Sequence, residues 1–114
     1  MSGDIHKRTA KQTATYRCWF NAMLDRVAKS IVASRVERLQ MGLYGDVKSC
    51  GEGVSEIRID FGPGYRVYYT EALDNTILLL LMGGDKSTQK RDIKDAKKML
   101  ADMKQLLAEK KRKT

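Results

Sequence analysis

The chain has 114 residues, with 22 Lys and Arg against 14 Asp and Glu, and a net charge of +8. That length fits one domain, and a composition of 42% hydrophobic and 32% charged residues with a single proline excludes a disordered or fibrous protein. We predict one domain over residues 1–114, with an N-terminal arm (1–12) and a mobile basic tail (108–114).

The apolar segments and the cysteines exclude two further classes. The longest apolar run, TILLLLM at residues 76–82, is strand-sized, so we predict no membrane span. The first twenty residues lack the apolar region of a signal peptide, which predicts a cytoplasmic protein. Cys18 and Cys50 lack metal-ligand spacing, and His6 is the only histidine, so we predict reduced thiols and neither a metal nor a cofactor.

The positive charge is concentrated near the C-terminus. Residues 86–114 hold 11 basic and 4 acidic side chains, a net charge of +7, which leaves +1 for residues 1–85. Such a block suits a polyanion such as RNA, DNA or an acidic protein.

Helical spacing comes first along the chain. Apolar residues over 16–41 predict two helices, or one broken near Asp25, ending at Gly42 as a C-cap. Trp19 is expected in the core, since aromatics at helical spacing usually pack. Upstream, DIHKRT at residues 4–9 predicts a short edge strand.

From residue 45 the pattern changes to short runs separated by glycine. DVKSC, SEIRIDF, YRVYYT and TILLLLM predict an antiparallel meander, with the last strand buried on both faces. A final helix follows, whose apolar side is formed by Ile93, Ala96, Leu100, Met103 and Leu107. The predicted fold class is α+β, with an N-terminal helical pair and a C-terminal helix packed on a twisted antiparallel β-sheet.

The hairpin around Gly62-Pro63-Gly64 gathers charge on one face. Pairing Phe61 with Tyr65 places Asp60 opposite Arg66, Arg58 opposite Tyr68, and Glu56 opposite Thr70. The polar face, which we expect to meet solvent or a ligand, carries Glu56, Arg58, Asp60, Arg66 and Tyr68. Lys48 on the preceding strand and Lys86 after the next one are expected near it. A solvated face charged only for solubility is the alternative.

This set of side chains suits RNA cleavage by its own 2′-hydroxyl. Glu56 is the candidate base, Arg58 and Arg66 would clamp the phosphate, and Lys86 would stabilise the leaving oxygen. The candidate RNA-binding residues around them are Lys48, Tyr68, Lys90 and Arg91.

GDVKSCGEGVSEIRIDFGPGYRVYY and LLLLMGGDKSTQKRDIKDA closely resemble the addiction-module killer proteins, a HigB-like branch of the RelE/ParE toxin superfamily. The similarity covers about residues 16–100. It implies a RelE-like fold and a type II toxin that cleaves mRNA in the ribosomal A site without metal. It also implies a cognate helix-turn-helix antitoxin, whose complex with the toxin binds operator DNA.

In RelE-type toxins two lysines precede the GYR turn, and the matching positions here are Glu56 and Arg58. The family arginine falls on Arg66, and the basic residue after the next strand falls near Lys86. The catalytic tyrosine or histidine of several relatives has no match near Asp92, which leaves the proton donor open. A ParE-like gyrase poison and a non-enzymatic nucleic-acid- or partner-binding module are the alternative functions.

Overall fold

This computed structural model describes residues 7–72 and 77–112. The chain alternates between a five-stranded sheet and three helices. In chain order the elements are β1 (Thr9–Gln12), α1 (Ala14–Asn21), α2 (Arg26–Gln40), β2 (Val47–Gly51), β3 (Val54–Ile59), β4 (Tyr65–Ala72), β5 (Ile77–Asp85), a 3₁₀ turn (Lys86–Thr88) and α3 (Gln89–Arg112). Among the described residues, no helix is long and apolar enough to cross a bilayer.

The helical pair is defined by its caps. The Asp25 carboxylate accepts hydrogen bonds from the amides of Val27 and Ala28 at 3.0 and 3.1 Å, which begins α2. Gly42, with φ of +83°, ends it, and the Leu43 amide donates to the Arg38 carbonyl at 2.9 Å as in a Schellman motif. The predicted break near Asp25 and end at Gly42 are therefore confirmed.

The sheet has the order β1-β5-β4-β3-β2. Strands β2 to β5 form the predicted antiparallel meander, but β1 runs parallel to β5, so the prediction of a wholly antiparallel sheet is wrong. A four-residue polar strand carries no periodicity that would give its direction. The edge strand occupies Thr9–Gln12 rather than residues 4–9, of which 4–6 lie outside the described residues.

Helices cover both faces of the sheet. On one face α1 and α2 pack on β3, β4 and β5 through a core of Tyr16, Val32, Val36, Leu39, Ile57, Ile59, Val67, Tyr69, Leu78 and Leu80. Trp19 packs against this core, as predicted. On the other face α3 packs on Val54, Tyr68, Leu81 and Met82 through Ala96 and Leu100. The hairpin face that we expected to be open is therefore partly covered by α3.

A β-bulge in β5 reorients the end of that strand. Tyr68 pairs with Met82 and Tyr69 with Leu80, so Leu81 is the extra residue. After the bulge, Gly83 lies against the Trp19 ring on one face, and Gly84 lies against the Asp92 carboxylate on the other. A methyl group at either glycine would overlap its neighbour, which explains why two small residues stand together here.

Helix α3 extends beyond the sheet. Ile93, Ala96, Leu100 and Met103 belong to the core on the α3 side, as predicted. Leu107 lies on the same side of the helix and shares a groove with Leu100 and Met103, but it is 60% exposed and is not part of the buried core. Residues 108–112 of the predicted tail continue the helix, and 113–114 lie outside the described residues.

Candidate active site

The register of the β3–β4 hairpin differs from the predicted one by two residues. Glu56 faces Tyr68, Arg58 faces Arg66, and the last pair is Ile59 with Tyr65. The predicted pairs of Asp60 with Arg66, Arg58 with Tyr68 and Glu56 with Thr70 are wrong, because Asp60 and Phe61 join a longer turn in which the Gly64 amide donates to the Phe61 carbonyl. A shift of two residues leaves each side chain on its predicted face.

Two cross-strand rows form the polar face. They are Lys48–Glu56–Tyr68–Met82 and Arg58–Arg66–Gly84. The sheet thus brings together Glu56, Arg58, Arg66 and Tyr68, with Lys48 beside Glu56. Asp60 lies outside the strands and is exposed.

Glu56 is enclosed rather than open. Its side chain is 1% exposed, and Nε2 of Gln89 donates to both carboxylate oxygens at 2.9 and 3.0 Å. Gln89 is the first residue of α3, so the helix itself places an amide over the carboxylate. A buried carboxylate needs such partners, because an unpaired charge is expensive to remove from water.

The two arginines differ in how their donors are used. Arg58 donates to Oδ1 of Asp46 from Nε and Nη2 at 3.1 and 2.9 Å, and its side chain is 37% exposed. Arg66 is 9% exposed and donates from Nη1 to the carbonyls of Gly64 and Tyr65, both at 3.1 Å. Its buried Nε has no partner among the described residues. Arg66 therefore keeps an unused donor at the centre of the face.

Lys86 meets Arg66 at the turn. A methyl group at Gly64, where φ is +80°, would lie 3.3 Å from Lys86 Cβ and 3.5 Å from Arg66 Nη1. The guanidinium of Arg66 and the aliphatic part of the Lys86 side chain therefore border the same glycine. Lys90 and Arg91 follow in the first turn of α3 and are exposed.

Three further side chains complete the site and were missed by sequence reasoning. They are Asp46, which holds Arg58; Gln89, which covers Glu56; and Asp92. Asp92 is 5% exposed and accepts a hydrogen bond from the Thr88 hydroxyl at 2.5 Å. The four-residue spacing of Thr88 and Asp92 within the last motif was the available signal.

Tyr68 is fully buried near the carboxylates of Glu56 and Asp92. Burial raises the pKa of its phenol, and Glu56 and Asp92 raise it further, whereas Arg66 acts in the opposite direction. The hydroxyl has no hydrogen-bond partner among the described residues. The phenol is thus held neutral, at the cost of an unsatisfied buried polar atom.

We expect Tyr68→Phe to raise the free energy of unfolding by about 1 kcal/mol near pH 7, because it removes a buried hydroxyl without a partner. The wild type should lose stability above about pH 10, since the unfolded phenol loses its proton before the folded one. Tyr68→Phe should make that loss shallower. Tyr16 and Tyr69, whose pKa values burial raises to about 12, should account for the loss of stability that remains in Tyr68→Phe.

Urea unfolding at about pH 8 and about pH 10.5 measures both effects. Tyr44→Phe is the matched control because Tyr44 is 42% exposed and its hydroxyl is not a buried atom without a partner, so it should not raise the free energy of unfolding at pH 8. A Tyr68→Phe protein less stable than the wild type at pH 8 would contradict the expectation.

A separate groove lies towards the other end of α3. It has a volume of about 880 Å³ and runs between the C-terminal half of α3 and strands β3, β4 and β5. Leu106 and Leu107, 59% and 60% exposed, stand at its wall with Lys104 and Lys110. The charged residues of the candidate active site do not line this groove; they are Glu56, Arg58, Arg66 and Lys86. No cluster suited to a metal ion occurs among the described residues.

Comparisons with known proteins place the chain beside two others. It is 43% identical over 93 residues to an uncharacterized protein of Haemophilus influenzae, covering 82% of this chain and 93% of that protein. It superposes on a chain from the crystal structure of the toxin–antitoxin complex RelBE2 of Mycobacterium tuberculosis, with a TM-score of 0.55 and 19% identity. That match covers 70% of this chain and 99% of the other, and supports the predicted RelE-like fold. No family model matches the sequence.

Proposed function

The chain belongs to the same protein family as the uncharacterized Haemophilus influenzae protein and has a RelE-like fold, and from this premise we propose that it is the toxin of a type II toxin–antitoxin system. As such a toxin it would be an endoribonuclease that cleaves mRNA on the ribosome and inhibits translation. The RelE-like fold and the charged groups around Arg66 support this proposal. The place of action would be the cytoplasm, where translation occurs.

The arrangement around Arg66 is the observation on which the nuclease assignment depends. Its buried Nε has no partner in the described part of the chain, Arg58 lies directly across the hairpin, and Lys86 borders the same turn. A guanidinium with a free donor in a desolvated site is suited to a phosphate oxygen, because charge-assisted hydrogen bonds are stronger there. A gyrase poison has no need for such a phosphate clamp.

In the proposed reaction the RNA 2′-hydroxyl attacks the adjacent phosphorus and the bond to the 5′-oxygen breaks, which gives a 2′,3′-cyclic phosphate and a 5′-hydroxyl that takes its proton from solvent. Glu56 accepts the proton of the 2′-hydroxyl, Arg66 and Arg58 stabilise the charge on the phosphate oxygens, and Lys86 stabilises the leaving oxygen. These three cations supply the positive charge, so the proposed mechanism requires no metal or other cofactor.

Gln89 must move for this reaction to occur. A base has to come within about 2.6–3.2 Å of the proton that it removes, and Glu56 is 1% exposed beneath the Gln89 amide. In the proposed complex the substrate hydroxyl therefore takes the place of that amide as the partner of Glu56.

The proposed RNA contacts around the cleavage point are Lys48, Lys90 and Arg91, which are all exposed. Tyr68 was also a candidate RNA contact, but it is 0% exposed and cannot reach RNA in this arrangement. It lies opposite Glu56 on the neighbouring strand.

The proposed inhibitor is a cognate helix-turn-helix antitoxin, and the complex of the two would bind operator DNA. The similar chain comes from a toxin–antitoxin complex, which supports a partner of this kind. Exposed Leu106 and Leu107 at the α3 groove supply apolar surface that a protein partner could cover.

Primer extension on a defined mRNA in a bacterial translation extract tests the nuclease assignment. We expect breaks within translated codons in the presence of the protein, and none on the same RNA without ribosomes. Intact mRNA together with cleaved DNA trapped on gyrase would support the ParE-like function. Binding of RNA without any product would support a non-enzymatic module.

A further inference from the structure

Lysines on α3 form a stripe along one side of the helix. Lys90, Lys94, Lys97 and Lys104 are separated by four, three and seven residues, which places them within a sector of about 80°. Ala101 lies between them on the helix surface, and its side chain is a single methyl group. The acidic residues Asp95, Asp102 and Glu109 repeat every seven residues and therefore occupy a different side. The helix thus separates its positive and negative charges into two surfaces.

None of these four lysines forms an ion pair with a described residue. The ion pair seen within α3 joins Lys98 to Asp102 at the margin of the stripe, with Nζ and Oδ2 3.0 Å apart. Lysines four residues apart repel each other and destabilise a helix. The side chains through which α3 packs on the sheet are other residues, so the stripe lysines are not needed for that packing. Their mutual repulsion destabilises the helix, and a ligand of opposite charge would offset it.

The stripe borders the turn between β2 and β3. Lys97 Nζ would lie 3.6 Å from a Cβ at Gly51, and Lys104 Nζ 3.7 Å from a Cβ at Gly53. Helix and turn enclose a shallow cleft of about 570 Å³, which is lined by Glu52 of the turn and by Lys90, Ile93, Lys94, Lys97, Lys98 and Ala101 of α3. Small residues in the turn thus leave room beside the ammonium groups.

We propose that the stripe binds the phosphodiester backbone of an RNA strand that continues from the candidate active site. Lys90 stands one turn after Lys86, and the distance along the helix axis from Lys90 to Lys104 is about 21 Å. The stripe would therefore guide several successive phosphates away from Arg66. The inference rests on the proposed function for the identity of the polyanion, but not on cleavage.

RNA fits this surface better than an acidic peptide does. Between the lysines the cleft offers only the methyl group of Ala101 and the partly buried side chain of Ile93, whereas peptides dock through larger exposed apolar anchors. The exposed leucines of α3, Leu106 and Leu107, line the separate groove, which the stripe reaches at Lys104, and do not line the lysine cleft.

The test compares two variants of the full chain that carry the same net charge. One combines Lys94→Gln, Lys97→Gln and Lys104→Gln in the stripe. The control combines Lys11→Gln, Arg17→Gln and Arg26→Gln, which are exposed positions on β1, α1 and α2. Fluorescence anisotropy with a labelled single-stranded RNA of about 16 nucleotides, within the usual range of site sizes, measures affinity over a salt series.

We expect the stripe variant to lose at least about tenfold in affinity at low salt, and its log–log salt slope to fall by about 2, because three contacts contribute about 0.7 each. The control should lose much less affinity and keep a steeper slope. Equal losses in the two variants, or no loss in the stripe variant, would overturn the inference.

Polyglutamate of the same charge as the RNA is the second probe. Polyglutamate that binds more tightly than RNA, and loses that binding in the stripe variant, would overturn the proposal in favour of an acidic protein partner. Cleavage is measured separately on ribosomes. Stripe-dependent RNA binding without cleavage would contradict the nuclease and leave this inference standing, whereas cleavage with stripe-independent RNA binding would overturn this inference alone.

Discussion

Arg66→Ala is expected to reduce ribosome-dependent mRNA cleavage by about 10²- to 10³-fold, the usual loss when a donor that stabilises transition-state charge is removed. Arg66 is 9% exposed at the centre of the polar face, and its buried Nε has no partner among the described residues, so the proposed mechanism assigns it to a phosphate oxygen. Arg66→Lys should recover only part of the rate, because an ammonium group keeps the charge but not the planar fork.

Primer extension gives the rate, and thermal unfolding shows whether each variant is folded. Arg26→Ala is the matched control, since Arg26 is exposed at the start of α2, and it should cleave normally. A folded Arg66→Ala protein that cleaves at the wild-type rate would remove Arg66 from the mechanism. Equal rates for Arg66→Lys and the wild type would show that charge alone is sufficient.

Glu56→Gln is expected to reduce cleavage by about 10²- to 10⁴-fold, the range associated with loss of general acid–base catalysis. The substitution preserves the shape of the side chain and removes its negative charge. Because an amide oxygen still accepts from Gln89, the fold should remain intact, and stability should change by less than the cost of a cavity.

Glu37→Gln on the opposite side of the sheet is the control, and single-turnover cleavage on ribosomes is the measurement. Gln89→Ala distinguishes two roles for the Glu56 carboxylate, that of the base in cleavage and that of a structural group. With Glu56 as the base, Gln89→Ala should keep cleavage or raise it, because the amide no longer covers the carboxylate. Undiminished cleavage by Glu56→Gln would instead show that Glu56 is a structural group.

Much of the fold was predictable because the signals are local. Asp25 and Gly42 delimit α2 through hydrogen bonds to residues within a few positions, and such caps can be read directly from the chain. The meander from β2 to β5 was predictable because short turn sequences, glycine-rich in the first two connections, separate β-prone runs. The direction of β1 was not, since its partner β5 lies more than sixty residues away.

The sequence predicted on which face of the hairpin each site residue lies, but it did not predict which residues contact them. A period of two assigned Glu56, Arg58 and Arg66 to one side of the hairpin, and an even register error preserved that assignment. Gln89 and Asp92 reach this face only because α3 packs across it. The burial of Glu56 therefore depends on a contact between residues 33 positions apart.

Sequence was sufficient where one element carries the information, as it does for the helix caps and for strand parity. Tertiary structure alone decided which residues are covered. It enclosed Glu56 and Tyr68 beneath α3, left Nε of Arg66 without a partner among residues 7–72 and 77–112, and left Leu107 60% exposed. The physical reason is that burial depends on which distant segments pack together, and periodicity within one segment does not contain that information.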